Sequence, residues 1–201
     1  MVTAMLHRTL LLAAGLLVAA APSFAQPHKA QHVQAPKEQA PKEQAPKENG
    51  KKEQPQKVGG AQSWTAYTYA EGKGKVCYLV GEPAKKEPAA AKRDRVNALV
   101  THNTNDKSSN VVSFIEGYSF PEHGSAELDV DGKKFSLFTD KDTAWARDSA
   151  TDKAIVTALS KGKQAVLKGS SARGTATTDT YSLGGFAQAL ALIDKACSVK
   201  R

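Results

Sequence analysis

The 201-residue chain has little of what most chemistry needs: two cysteines, five histidines, and no apolar run beyond its N-terminus long enough to cross a bilayer. Each shortage excludes a class. A structural zinc site takes about four nitrogen or sulfur ligands, and Cys77 and Cys197 have no histidine near them. No Gly-x-Ser-x-Gly elbow occurs to mark an α/β-hydrolase nucleophile. Past residue 25 the histidines are His28, His32, His102 and His123, none at metal-ligand spacing. A triad assembled from distant segments leaves no sequence mark. Asp129-Val130-Asp131-Gly132 is no EF-hand, because Lys134 stands where that loop needs glycine and Lys133 where it needs an oxygen ligand. The chain is read as a non-enzyme with no catalytic residue, no metal and no cofactor.

The charge is one-sided, at +8 with a pI near 9.4. No basic run interleaves with aromatics, and neither a helix-turn-helix nor a zinc-finger spacing is present, so nucleic acid is not the expected partner. Weak contact with anionic envelope polymers is the expected consequence of the charge.

What is present begins with an export signal. His7 and Arg8 precede the apolar run Thr9–Ala21, and Ser23-Phe24-Ala25 is a small-x-small cleavage site. The run is shorter than the roughly 20 apolar residues of a spanning helix, so residues 1–25 read as a cleaved signal peptide and the remainder as soluble, with no transmembrane segment. Export gives the cysteines an oxidising compartment, where an isolated pair reads as a Cys77–Cys197 disulfide. Free or metal-binding thiols are the other reading.

Residues 26–62 read as a linker. Gln-Ala-Pro-Lys-Glu occurs three times, at 34–38, 39–43 and 44–48. Proline at every fifth position blocks a helix. So few apolar groups cannot offset ordering entropy, which predicts disorder with polyproline II character. Fully extended at about 3.1 Å per residue, it would reach on the order of 100 Å.

Residues 63–201 read as the folded domain. Short β-like runs fall at 64–69, 76–80, 96–101 and 111–115. Ala126–Val130 and Lys133–Phe138 flank Asp131-Gly132, the chemistry of a type I′ hairpin, in a register that sets Leu128 opposite Phe135 and Ala126 opposite Leu137. A helix capped by Asp152 is expected to run to a stop at Gly162, then a strand at 164–168. A second helix is expected from near Ser182 toward Ala196, with Phe186, Leu190, Ile193 and Cys197 on one buried stripe. Seven strands and two short helices suggest a mainly β, antiparallel sandwich. In the polar stretch 168–183, Arg173, Asp179 and Tyr181 are candidates to line a binding groove. The alternative is structural, with Arg173 pairing with Asp179 and Tyr181 packing beneath.

That same stretch, Gly169–Phe186 with the closing Ala196-Cys197, resembles the invasion-associated locus B family. So do Lys75-Val76-Cys77-Tyr78, Gly117-Tyr118-Ser119-Phe120, Asp131–Phe138 and Ala144-Trp145, in the family's order from Trp64 to Cys197. The resemblance implies an exported bacterial protein with an immunoglobulin-like β-sandwich and a role in the envelope, some members being linked to host-cell invasion. It brings no accepted catalytic residues, and the five-residue repeat lies outside the shared pattern. The expected function is thus a periplasmic or secreted interaction protein that meets an envelope or host protein partner. A structural protein threading the cell wall, or a periplasmic hydrolase using His102 or His123, are the alternatives.

Overall fold

A computed structural model describes residues 54–201. The expected signal segment, and the linker up to residue 53, lie outside the described residues. The described residues are mainly β and antiparallel, with two helices, as the sequence suggests. The strands are β1 (Gln56–Ala61), β2 (Trp64–Glu71), β3 (Gly74–Gly81), β4 (Lys85–Glu87), β5 (Asn97–Asn103) and β6 (Ser108–Ile115). After them come β7 (Ser125–Val130), β8 (Lys133–Asp140), β9 (Thr143–Trp145), β10 (Gln164–Ser170) and β11 (Ala176–Ser182). Helix α1 (Ser149–Lys161) precedes β10, and α2 (Phe186–Cys197) follows β11.

Eleven strands replace the seven expected, in the order β1-β2-β3-β5-β6-β9-β8-β7-β10-β11-β4. The sandwich-like layers are parts of this one sheet, continuous through the three-residue β9, which pairs with both β6 and β8. Its two ends fold toward each other. The Trp64 indole N–H on β2 donates to the Ser182 carbonyl on β11 at 2.9 Å, and Phe114 on β6 meets Tyr181 on β11 edge to face at 5.7 Å.

The hairpin has the expected register, with Leu128 opposite Phe135 and Ala126 opposite Leu137. Asp131 (φ 47°) and Gly132 (φ 90°) supply its turn. Other boundaries differ from expectation. Gln56–Ala61, assigned to the linker, is an edge strand. Its side chains are mostly exposed, so no apolar alternation announces it; backbone pairing to β2 holds it, with a bulge between Lys57 and Gly59. The cap of α1 is Asp148, whose carboxylate accepts from the Thr151 N–H, rather than Asp152. Asp152 is buried one turn on and accepts from the Val112 N–H of β6 at 2.8 Å. Helix α2 starts four residues later than expected, because Ser182 still belongs to β11 and the left-handed Gly185 (φ 84°) turns the chain into the helix.

The stripe on α2 packs as expected, with Phe186, Leu190 and Ile193 in the core. Cys197 is bonded to Cys77 of β3, 120 residues away. No helix among the described residues is long and apolar enough to cross a membrane. Closing so long a loop restricts the unfolded chain by about 4–5 kcal/mol in the chain-entropy model. A Cys77→Ala/Cys197→Ala variant is therefore expected to lose stability of that order in urea unfolding. An unchanged midpoint would show that α2 is held by packing alone.

Candidate functional site

The stretch expected to be a polar loop is a strand. Residues 176–182 alternate, with Thr177, Asp179 and Tyr181 turned inward and the residues between them more exposed. β11 pairs with β10 along its whole length and with β4 at Thr178–Thr180. An inward aspartate needs a partner, since an isolated buried carboxylate is costly. The partner is Arg93, in the connection between β4 and β5, and not Arg173. The Arg93 guanidinium donates from Nη1 to Oδ2 of Asp179 at 2.6 Å and from Nη2 to Oδ1 at 2.5 Å. A third bond runs from Nη1 to Oε2 of Glu116 at 3.2 Å. The three side chains are 5%, 0% and 1% exposed for Arg93, Asp179 and Glu116 respectively.

One cation faces two carboxyls here, both buried, and its hold on both oxygens of Asp179 leaves Glu116 as the one that keeps its proton. Desolvation first, then the neighbouring Asp179, pushes Glu116 up to about 9. At neutral pH the cluster is therefore an Arg93–Asp179 ion pair beside a protonated Glu116, whose Oε1 has no hydrogen-bond partner. Above it Tyr118 hydrogen-bonds Thr177 at 2.7 Å, its phenol pushed up to about 12 chiefly by burial. The Arg93 guanidinium lies 6.0 Å from the Tyr118 ring centroid, at the outer limit of a cation–π contact. Tyr181 is buried beneath, its hydroxyl without a partner.

Over this cluster opens a cleft of about 580 Å³. Its walls are the connection from Pro88 to Arg93, the Gly117–Ser119 segment after β6, and the β10–β11 turn at Ser171–Thr175. Two backbone bonds brace the walls. Ala172 N–H donates to the Ser119 carbonyl at 2.8 Å, and Asp94 N–H to the Gly117 carbonyl at 3.1 Å. Of the three residues singled out in the sequence, Arg173 lines the cleft, Asp179 anchors it from below, and Tyr181 belongs to the core. Sequence reasoning missed Arg93, Glu116 and Tyr118. Only the Gly-Tyr-Ser-Phe stretch gave a signal for one of them, through the family resemblance.

His102 lies elsewhere and is 1% exposed. Its Nε2 is 2.9 Å from Oδ1 of Asp194, and its Nδ1 accepts from the Asn110 N–H at 3.0 Å. That pattern makes Nε2 the protonated nitrogen and commits both. Desolvation lowers its pKa despite Asp194, so the ring is neutral. In a hydrolytic triad the second nitrogen takes a hydroxyl proton; here a backbone donor occupies it. His123 is exposed beside Glu122. Among the described residues, no group of three or more His, Cys, Asp or Glu is placed to hold a metal.

A second concavity, about 730 Å³, lies on the outer face of β2, β3 and β5. Tyr67 and Tyr78 stack there at 5.3 Å, with Tyr69 edge-on to Tyr78.

Two outcomes follow. Asp179→Asn removes the carboxylate that holds a buried guanidinium by two bonds, leaving only Glu116 beside it, and is expected to cost up to about 3–5 kcal/mol in urea unfolding, whereas Arg173→Gln is expected to cost almost nothing; equal losses would refute the Arg93 pairing. Glu116 keeps a proton in the fold that the unfolded chain releases near its ordinary 4.5. Its contribution to stability is therefore full below about pH 4.5 and declines as pH rises toward 9. Unfolding midpoints between pH 5 and 9 should fall more steeply in the wild type than in Glu116→Gln. Parallel curves would mean Glu116 is ionised in the fold.

The family model described as Invasion associated locus B (IalB) protein matches residues 64–194, from the start of β2 into α2. No curated protein and no solved structure matches the chain. The chain belongs to the invasion associated locus B family.

Proposed function

We propose that this member of the invasion associated locus B family is a non-enzymatic interaction protein, exported to the periplasm or secreted, that captures an envelope or host partner in the cleft above Arg93. The observation that carries the reading is the cleft itself. Its walls come from three separate connections, and they are fixed from below by a buried ion pair and from the side by backbone bonds. Rigid loops on a β scaffold are where binding residues commonly sit. A volume of about 580 Å³ lies within the ordinary range of ligand sites.

Export rests on the N-terminal basic, apolar and small-residue pattern, and on a disulfide that needs an oxidising compartment to form. The non-enzymatic reading draws support from His102, whose two nitrogens are both committed to structural partners. The cell-wall-threading alternative rests on the repeat segment, whose residues lie outside those described.

Affinity capture from detergent-solubilised envelope tests this, with the full chain and its Ala172→Trp variant as baits. Ala172 is exposed and lines the cleft, so tryptophan there fills the opening without entering the core. High-salt washes remove charge-only contacts. The expected result is a partner retained by the wild type at high salt and lost by Ala172→Trp. No retained partner, or equal retention by both baits, would overturn the proposal.

A further inference from the structure

The lining of the cleft sorts by chemistry. Lys92, Arg93 and Arg173 bring positive charge, and no carboxylate lines it among the described residues. Arg93 is matched from below by Asp179, which is fully buried. Lys92 and Arg173 make no ion pair among the described residues, so their charges stand open to the cleft. A concave site walled by one sign of charge concentrates ligands of the other sign.

Hydroxyls make up the second part of the lining: Ser119, Ser171 and Thr175 are open to it, while those of Tyr118 and Thr177 are spent on each other beneath. The three open hydroxyls can each donate to a ligand, Ser171 while accepting from the Thr175 N–H, which suits a ligand carrying hydroxyls of its own. The third part is apolar and shallow, from Pro88, Ala90 and Ala91. These small side chains leave room for a ring to lie flat. An acidic peptide would use the cations and leave the three open hydroxyls unanswered. A neutral sugar would use the hydroxyls and leave the two open cations unanswered.

Together these features point to an acidic saccharide as the ligand of the cleft, and we infer that Lys92 and Arg173 receive its carboxylate or sulfate while the hydroxyl-bearing wall receives its ring hydroxyls. Arg173, at the tip of the β10–β11 turn, is suited to bind a planar oxyanion through its fork of donors. Lys92 meets the same group as a point charge from the Pro88–Arg93 wall. The inference rests on the cleft being the contact site, as proposed above, and adds the class of ligand. Carboxylated glycans of the envelope and sulfated glycans of a host surface share this chemistry.

Calorimetric titration of the full chain tests it with four probes: digalacturonate, a sulfated chondroitin disaccharide, neutral maltose and tetraglutamate. Binding is expected for one or both acidic sugars, the preferred one distinguishing an envelope-type from a host-type source. Maltose and tetraglutamate are expected to bind at least tenfold more weakly. The variant Lys92→Gln/Arg173→Gln should lose at least tenfold in affinity with an unchanged unfolding midpoint. The variant Lys37→Gln/Lys42→Gln/Lys47→Gln, in the repeat, should bind as the wild type does. No binding of either acidic sugar would overturn the inference, and so would tetraglutamate binding as tightly, maltose binding as tightly, or a loss confined to the repeat variant. These outcomes are separable from the capture experiment. A partner lost with Ala172→Trp, combined with silent acidic sugars, would leave the cleft as the contact site and remove only the ligand class.

Discussion

The arrangement depends first on one buried contact, the Arg93 guanidinium held by both oxygens of Asp179. It joins residues 86 apart in sequence and fastens an otherwise irregular connection to the inner face of the sheet. Ion pairs taken out of water are poor sources of net stability, because desolvation offsets most of the attraction. Losing one partner is nonetheless expensive, and that asymmetry makes the pair a device for fixing position. Glu116 extends it. Burial keeps Glu116 protonated, so the cluster carries one positive and one negative charge at neutral pH, with no uncompensated charge in the core. The cleft walls inherit their fixed spacing from this arrangement, since Arg93 is both the anchor and part of the lining.

The opposite side of the molecule is secured by different means. Cys77–Cys197 joins the end of α2 to β3. The His102 ring, from the neighbouring β5, reaches Asp194 of the same helix. Asp194 also accepts from Arg201, and Arg201 in turn donates to Asn110 at 2.9 Å. The chain's last residue is thus tied to β6 as well. A neutral histidine with both nitrogens occupied is a strut in this setting. Its place beside the disulfide accounts for its burial.

How legible each part was in the sequence follows from what its inward side chains are. The β7–β8 hairpin and α2 bury apolar residues at the period of their own structure, so pattern alone placed them. β1, β4 and β9 could not be read in this way. β1 and β4 bury almost nothing, and three residues are too few for a period to show in β4 and β9. β11 is the instructive case. It alternates as strictly as any strand, but two of its inward residues, Thr177 and Asp179, are polar. An inward aspartate reads as a loop until a buried arginine is known to meet it. That arginine sits 86 positions away among alanines and lysines, where no local pattern announces it. The α1 cap was misplaced for a related reason. Asp148 and Asp152 both precede apolar residues, and only the packing of β6 against α1 shows that Asp152 serves the Val112 N–H.

The mistaken pairing of Arg173 with Asp179 bears on function as well as on fold. An aspartate six residues from an arginine across a turn is the economical guess from sequence. Were it right, the cleft would have lost its outer cation to an internal bond. In the structure Asp179 is inward and already held on both oxygens by Arg93, so Arg173 is left at the turn with no ion pair among the described residues. The buried pair therefore does two things. It fixes the floor, and by occupying the only carboxylate that β11 carries it leaves the charge on the rim unspent. A site built this way answers charge at its edge while its foundation stays electrically balanced.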